Sequence, residues 1–130
     1  MDTKQLLMIG VSMLASAAAG PALGQEKQEQ YIQVAEIEID PSQLDAYRTA
    51  VKEHIEMAIR VEPGVLTLYA VSDKDDPTKV KVFEFYRDGE AYRRHLESGH
   101  FKRYKAATQS MVRSLKLIRT DAIALGTKAR

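Results

Sequence analysis

The chain has 130 residues, enough for one domain, with 45% hydrophobic and 28% charged residues, the balance of an ordinary soluble fold. Its formal net charge is +1, and basic and acidic residues are interleaved, so no basic stripe points to nucleic acid. Cysteine is absent, which excludes disulfides, iron–sulfur clusters, thiolate zinc sites and a thiol nucleophile.

Residues 1–24 read as a secretory signal peptide. Lys4 precedes an apolar run over 6–19, Gly20-Pro21 ends the run, and Ala22 and Gly24 place small residues three and one before a cut at Gln25. The alternative is an uncleaved anchor, but the run is short and rich in Ala, Ser and Gly for a span that needs about 20 apolar residues. The expectation is a periplasmic or secreted protein with no stable membrane anchor after cleavage. Residues 25–30 are polar, without an apolar period, and form a flexible lead-in.

The folded domain is expected over 31–125, followed by a short tail at 126–130. Residues 31–39 alternate and are rich in β-branched side chains, which predicts a strand. Asp40 can cap, Pro41 suits a first helical position, and Gln43 completes a capping box. Leu44, Tyr47, Val51, Ile55 and Ala58 then make one apolar stripe of a helix reaching Val61. Glu62-Pro63-Gly64 stops it, because proline disfavours helix in the residue before it. A hairpin follows, with strands over 65–71 and 80–86 joined by an Asp- and Pro-rich turn. Asp88 can cap a second helix, which Ser98-Gly99 interrupts. It resumes with Phe101, Tyr104, Thr108 and Met111 on one side. A weaker strand signal over 114–125 closes the chain.

The order β-α-β-β-α-β predicts an α+β, ferredoxin-like fold: one antiparallel sheet with two helices on one face. The hairpin strands are apolar on both faces, with Leu66, Leu68 and Ala70 opposed to Val65, Tyr69 and Val71. Helices cover one face only, so the other predicts a homodimer.

Two of the three histidines, His95 and His100, stand five residues apart in HLESGHF. On an unbroken helix that spacing separates them by about 140°. It is not the pair of a metal-binding helix, and no metal is expected from the spacing. A break at Ser98-Gly99 would let both rings point where one straight helix could not direct them, His95 from the first segment and His100 at the start of the second.

Residues 62–104 resemble the antibiotic biosynthesis monooxygenase family, including its quinol monooxygenase-like members. The marks are Glu62-Pro63-Gly64, Tyr69, Asp76-Pro77, Glu84-x-Tyr86, and His95 followed by Ser98, His100 and Phe101. The resemblance implies a dimeric α/β barrel-type assembly of ferredoxin-like chains with a pocket between sheet and helices. Haem-degrading members carry an asparagine, a tryptophan and a ligand histidine where this chain has about Ile37, His95 and Lys105, so haem degradation is disfavoured. Many oxygenase members have tryptophan where Tyr86 stands, which keeps a ring for stacking without the indole.

The resemblance thus implies a monooxygenase without metal or flavin, acting on a small quinol or polyphenolic aromatic with O2. Such chemistry needs an apolar pocket, a base, and hydrogen bonds to the developing anion. His95 and His100 are the candidate catalytic residues, although a hinge-locking role also fits His100. Tyr69, Phe83, Tyr86, Phe101 and Tyr104 are the candidates for an aromatic pocket, or simply core. Glu84 and His54 are candidate orienting groups; Glu84 could instead pair with Arg87 or Arg94, and His54 could be a satisfied histidine at the helix boundary. A non-catalytic binding module for a small aromatic and a cofactorless isomerase are the other readings.

Overall fold

A computed structural model describes residues 29–129. The expected signal peptide, and the lead-in before residue 29, lie outside the described residues. Strand β1 (Tyr31–Ile39) leads through a 3-10 turn (Pro41–Gln43) into helix α1 (Leu44–Val61). Strands β2 (Val65–Ser72) and β3 (Lys79–Tyr86) form the hairpin, helices α2 (Gly89–Glu97) and α3 (Gly99–Thr108) follow, and β4 (Val112–Thr120) closes the sheet. The strand order is β2-β3-β1-β4, antiparallel throughout. This is the α+β ferredoxin-like arrangement, with the second helix divided in two.

The local signals act as their chemistry requires. Asp40 Oδ1 accepts from Ser42 N at 3.0 Å, but what it caps is the 3-10 turn, and α1 starts one residue after Gln43. The stripe on α1 buries Tyr47, Val51, His54 and Ala58. Pro63 holds Glu62 in an extended conformation, φ −109° and ψ 105°, at the helix end. Glu62 N–H still bonds Ala58 O, and Glu62 O receives Val65 N–H, so its backbone is tied on both sides.

Two expectations need correction. Simple alternation groups Val65 with Tyr69 and Val71, but the register shifts between Val65 and Thr67. That bulge turns both Val65 and Leu68 to the buried helix side and leaves Leu66 exposed. The last strand ends at Thr120 rather than 125, and Ile123 is fully solvated.

The helices cover the face formed by Ala35, Ile37, Val80, Val82 and Tyr86. Two apolar clusters lie beneath them. One joins Ala35, Ile37, Ile39, Tyr47, Val51, Val80 and Val82. The other joins Ala58, Val65, Leu68, Tyr86 and Ala91. At their junction with α2, Gly64 packs so closely that a Cβ there would stand 2.5 Å from Ala91 Cβ. The opposite face carries the row Tyr69–Phe83–Val34–Ile118 across all four strands.

Candidate functional site

A cavity of about 150 Å³ lies between the two clusters, under the helices. Its wall is mostly apolar, from Ala35, Val51, Leu68, Val82 and Phe101, with His54, His95 and Tyr104 among the polar-tipped lining groups. Lys105, Leu115 and Leu117 also line it and are the exposed members, so it opens beside β4, the strand that the helices leave bare. An apolar cavity of roughly this size accommodates benzene, so one aromatic ring fits.

The helix break positions the histidines. Ser98 is extended, φ −68° and ψ 151°, and serves both helices. Its hydroxyl donates to His95 O at 2.7 Å and accepts from Phe101 N–H at 3.2 Å. The two helices therefore meet at an angle set by one side chain, and the 140° separation of an unbroken helix no longer applies. His95 Nδ1 and His100 Nε2 converge on one atom, Glu62 Oε2, at 2.7 Å and 2.5 Å.

His95 is buried, 2% exposed, between Tyr86 and Phe101, with ring centroids 5.3 Å and 5.2 Å away. Its Nδ1 faces the carboxylate while the ring lines the cavity. The carboxylate fixes the tautomer: Nδ1 carries the proton, and Nε2 keeps its lone pair. Among the described residues Nε2 has no hydrogen-bond partner. His100 lies behind this pair and does not line the cavity.

His54 packs flat on Tyr104, centroids 4.6 Å apart, and its buried Nδ1 has no partner among the described residues. Burial above all, and then any positive charge on His95 and His100, lowers its pKa from 6.5 to about 4. His54 is therefore neutral near pH 7. Tyr104 donates to, or accepts from, Tyr47 at 2.7 Å, tying α3 to α1.

Glu84 lies on the sheet floor of the cavity. Its Oε1 accepts from Gln33 Nε2 at 2.9 Å and from Tyr86 O–H at 2.7 Å. It pairs with neither Arg87 nor Arg94: Arg87 faces Asp88 at 3.7 Å and Arg94 faces Glu90 at 3.9 Å. Burial raises the Glu84 pKa, against the two hydrogen bonds. Burial, reinforced by Glu84, keeps Tyr86 a neutral phenol.

Of the aromatics proposed from sequence, Tyr86, Phe101 and Tyr104 line the cavity. Tyr69 and Phe83 do not. They pair across β2 and β3 on the face turned away from the helices, where strand alternation puts them opposite Leu68 and Glu84. Glu62, which the sequence marks only as a helix stop, joins the candidate site by bonding both histidines. The available signal was its place before Pro63, which takes the side chain out of the helical row. Among the described residues, Glu62, His95 and His100 are also a group that could hold a metal, with donor atoms within 4.8 Å of one another.

The fold and the site define a ferredoxin-like sheet-and-helix protein with a histidine–carboxylate pair at an apolar cavity. A sequence profile described as antibiotic biosynthesis monooxygenase matches residues 30–107. A crystal structure from Bacteroides thetaiotaomicron, assigned to those monooxygenases, is 41% identical over 78% of this chain and 97% of that one, with a TM-score of 0.75. Structures from Caulobacter crescentus (21% identity, TM-score 0.70, 75% and 92% covered) and Nitrosomonas europaea (19%, 0.69, 75% and 93%) share the fold. No curated protein matches. The chain belongs to the antibiotic biosynthesis monooxygenase family.

Proposed function

We propose that the protein is a monooxygenase that oxidises a small quinol or polyphenolic aromatic with O2, using neither metal nor flavin. The observation that carries this reading is the His95 ring, held at Nδ1 by Glu62 and bordering the apolar cavity with Nε2 unpartnered. A phenol seated there gives its proton to Nε2, and Glu62 stabilises the imidazolium that forms. The electron-rich phenolate passes an electron to O2, and the radical pair combines at a ring carbon. Loss of water then gives a hydroxyquinone. For a hydroquinone the balance is quinol plus O2 to hydroxyquinone plus water, so the substrate supplies every electron. Gln33, Glu84, Tyr86 and Tyr92 put a hydrogen-bonding edge on the same cavity for the second oxygen.

The test is oxygen uptake by the purified protein with single-ring hydroquinones. One O2 should be consumed per quinol, and added catalase should return none, because uncatalysed autoxidation releases peroxide. Ring binding without oxygen uptake would leave a binding module instead.

Two further parts of the reading concern assembly and location. Tyr69 (53% exposed) and Val71 (50%) lie on the uncovered sheet face with Phe83, which supports a homodimer through that face. Export rests on residues 1–24, and a mature chain whose intact mass starts at Gln25 would establish it. Among the described residues no helix is long and apolar enough to cross a membrane.

A further inference from the structure

We propose that Glu62, His95 and His100 form a binding site for a divalent transition-metal ion of the zinc class, and that occupancy switches the base off. The geometry carries the first part. His95 Nδ1 and His100 Nε2 both meet Glu62 Oε2, at 2.7 Å and 2.5 Å, and the donor atoms of all three residues lie within 4.8 Å. Two imidazoles and a carboxylate are a donor set that suits such ions, with bonds of about 2.0–2.2 Å. Bonds of that length need donors roughly 3.3 Å apart in a tetrahedral site. His95 is buried and His100 is not, its side chain being 10% exposed, so the adjustment falls on the carboxylate and on the His100 ring. Glu62 sits at the end of α1, and its side chain is the most exposed of the three, at 14%. The carboxylate must draw back by under about 1 Å, and the two imidazole nitrogens, which lie within 4.8 Å of each other, must close to the same spacing for the ion to fit.

The second part follows from proton positions and rests on the monooxygenase reading. In the metal-free arrangement both imidazoles direct an N–H at Glu62. A metal takes the lone pair on His95 Nδ1 and on His100 Nε2, and each neutral ring keeps its proton by moving it to the far nitrogen. No proton need be lost. For His95 the far nitrogen is Nε2, the one left for the cavity. It changes from acceptor to donor and can no longer take a proton from a phenol. His54 stands close, its ring centroid 5.1 Å from His95 and 5.6 Å from His100, but outside the donor set.

Cobalt(II) and zinc(II) are the probes, added to the chelator-treated full domain. Cobalt should give visible absorption of a low-symmetry four- or five-coordinate site, saturating at one equivalent per chain, and zinc should abolish it. Glu62→Gln and His100→Asn should each weaken cobalt binding at least tenfold while circular dichroism stays unchanged, whereas His54→Phe should keep the spectrum. Zinc at one equivalent should stop quinol-dependent oxygen uptake, and chelation should restore it. Absence of a saturable cobalt spectrum, or retention of it in both ligand variants, overturns the site. Cobalt binding with oxygen uptake undiminished or raised by metal overturns the switch. The cobalt measurement needs no substrate, so failure of the monooxygenase reading leaves it intact, and its own failure beside active oxygen uptake sinks only this inference.

Discussion

Glu62 gives one carboxylate oxygen to two imidazoles, and that sharing governs what each histidine can do. Replacing it by glutamine keeps the shape but removes the charge that stabilises an imidazolium. Glu62→Gln should therefore lower kcat by about 10²-fold with little change in KM, the usual scale for general-base assistance. Equal kcat in the variant would place the base elsewhere. His95→Gln should cost as much or more, and is a better probe than alanine because truncating a buried ring between Tyr86 and Phe101 would also lower stability. His54 tests burial by another route. Its pKa is lowered in the folded chain, from 6.5 to about 4, while the unfolded chain keeps the ordinary value. Between those pH values the unfolded state binds a proton that the folded state does not, so stability falls as pH drops from about 6.5 to about 4 and levels off below. The full shift corresponds to about 3 kcal/mol. His54→Phe keeps a ring on Tyr104 and orphans no donor. Urea midpoints measured from pH 7 to pH 4 should fall more steeply in the unmodified protein than in this variant. Parallel curves would show that His54 titrates as it does in the unfolded chain.

At the scale of elements, the site depends on where α2 sits and how it joins α3. Gly64 lets the α1–β2 turn approach Ala91 on α2. Gly64→Ala forces that helix outward, at a cost of about 1–3 kcal/mol for an overpacked contact. The melting temperature should drop by at least about 4 °C. Oxygen uptake should drop too, because α2 carries His95 away from Glu62. A variant with unchanged melting temperature and activity would mean that the turn can shift independently of the helix. Ser98 controls the other junction: its hydroxyl holds His95 O on one side and Phe101 N–H on the other. The sequence HLESGHF therefore encodes an angle between two short helices, and the i, i+5 spacing says nothing about the distance between its histidines.

At the scale of the whole molecule, the helices cover one sheet face and, among the described residues, leave the row from Tyr69 to Ile118 without a covering layer. A second copy laid on that face would bury on the order of 1,600 Å², the size of a stable interface. Light scattering of the mature protein should give twice the chain mass. Tyr69→Lys puts a charge in the middle of the row and should yield a folded monomer, since the side chain is 53% exposed in the single chain. A Tyr69→Lys protein that still weighs as a dimer would move the interface to another surface.

The sequence by itself determined the elements, because their signals are local. Alternation marks β1, the three-and-four stripe marks α1, Pro63 ends it, and Ser98-Gly99 divides the second helix. It also marked His95 and His100 as candidate catalytic residues and Tyr69, Phe83, Tyr86, Phe101 and Tyr104 as ring candidates, without the strand register that separates the pocket from the outer face. The tertiary structure alone decided what depends on register and long-range approach. A one-residue bulge in β2 reassigned Val65, and strand pairing sent Tyr69 and Phe83 to the face away from the cavity. Glu62 reaches His95 across 33 positions and His100 across 38. No periodicity records such a meeting, because it is set by the packing of α1, α2 and α3 on the sheet.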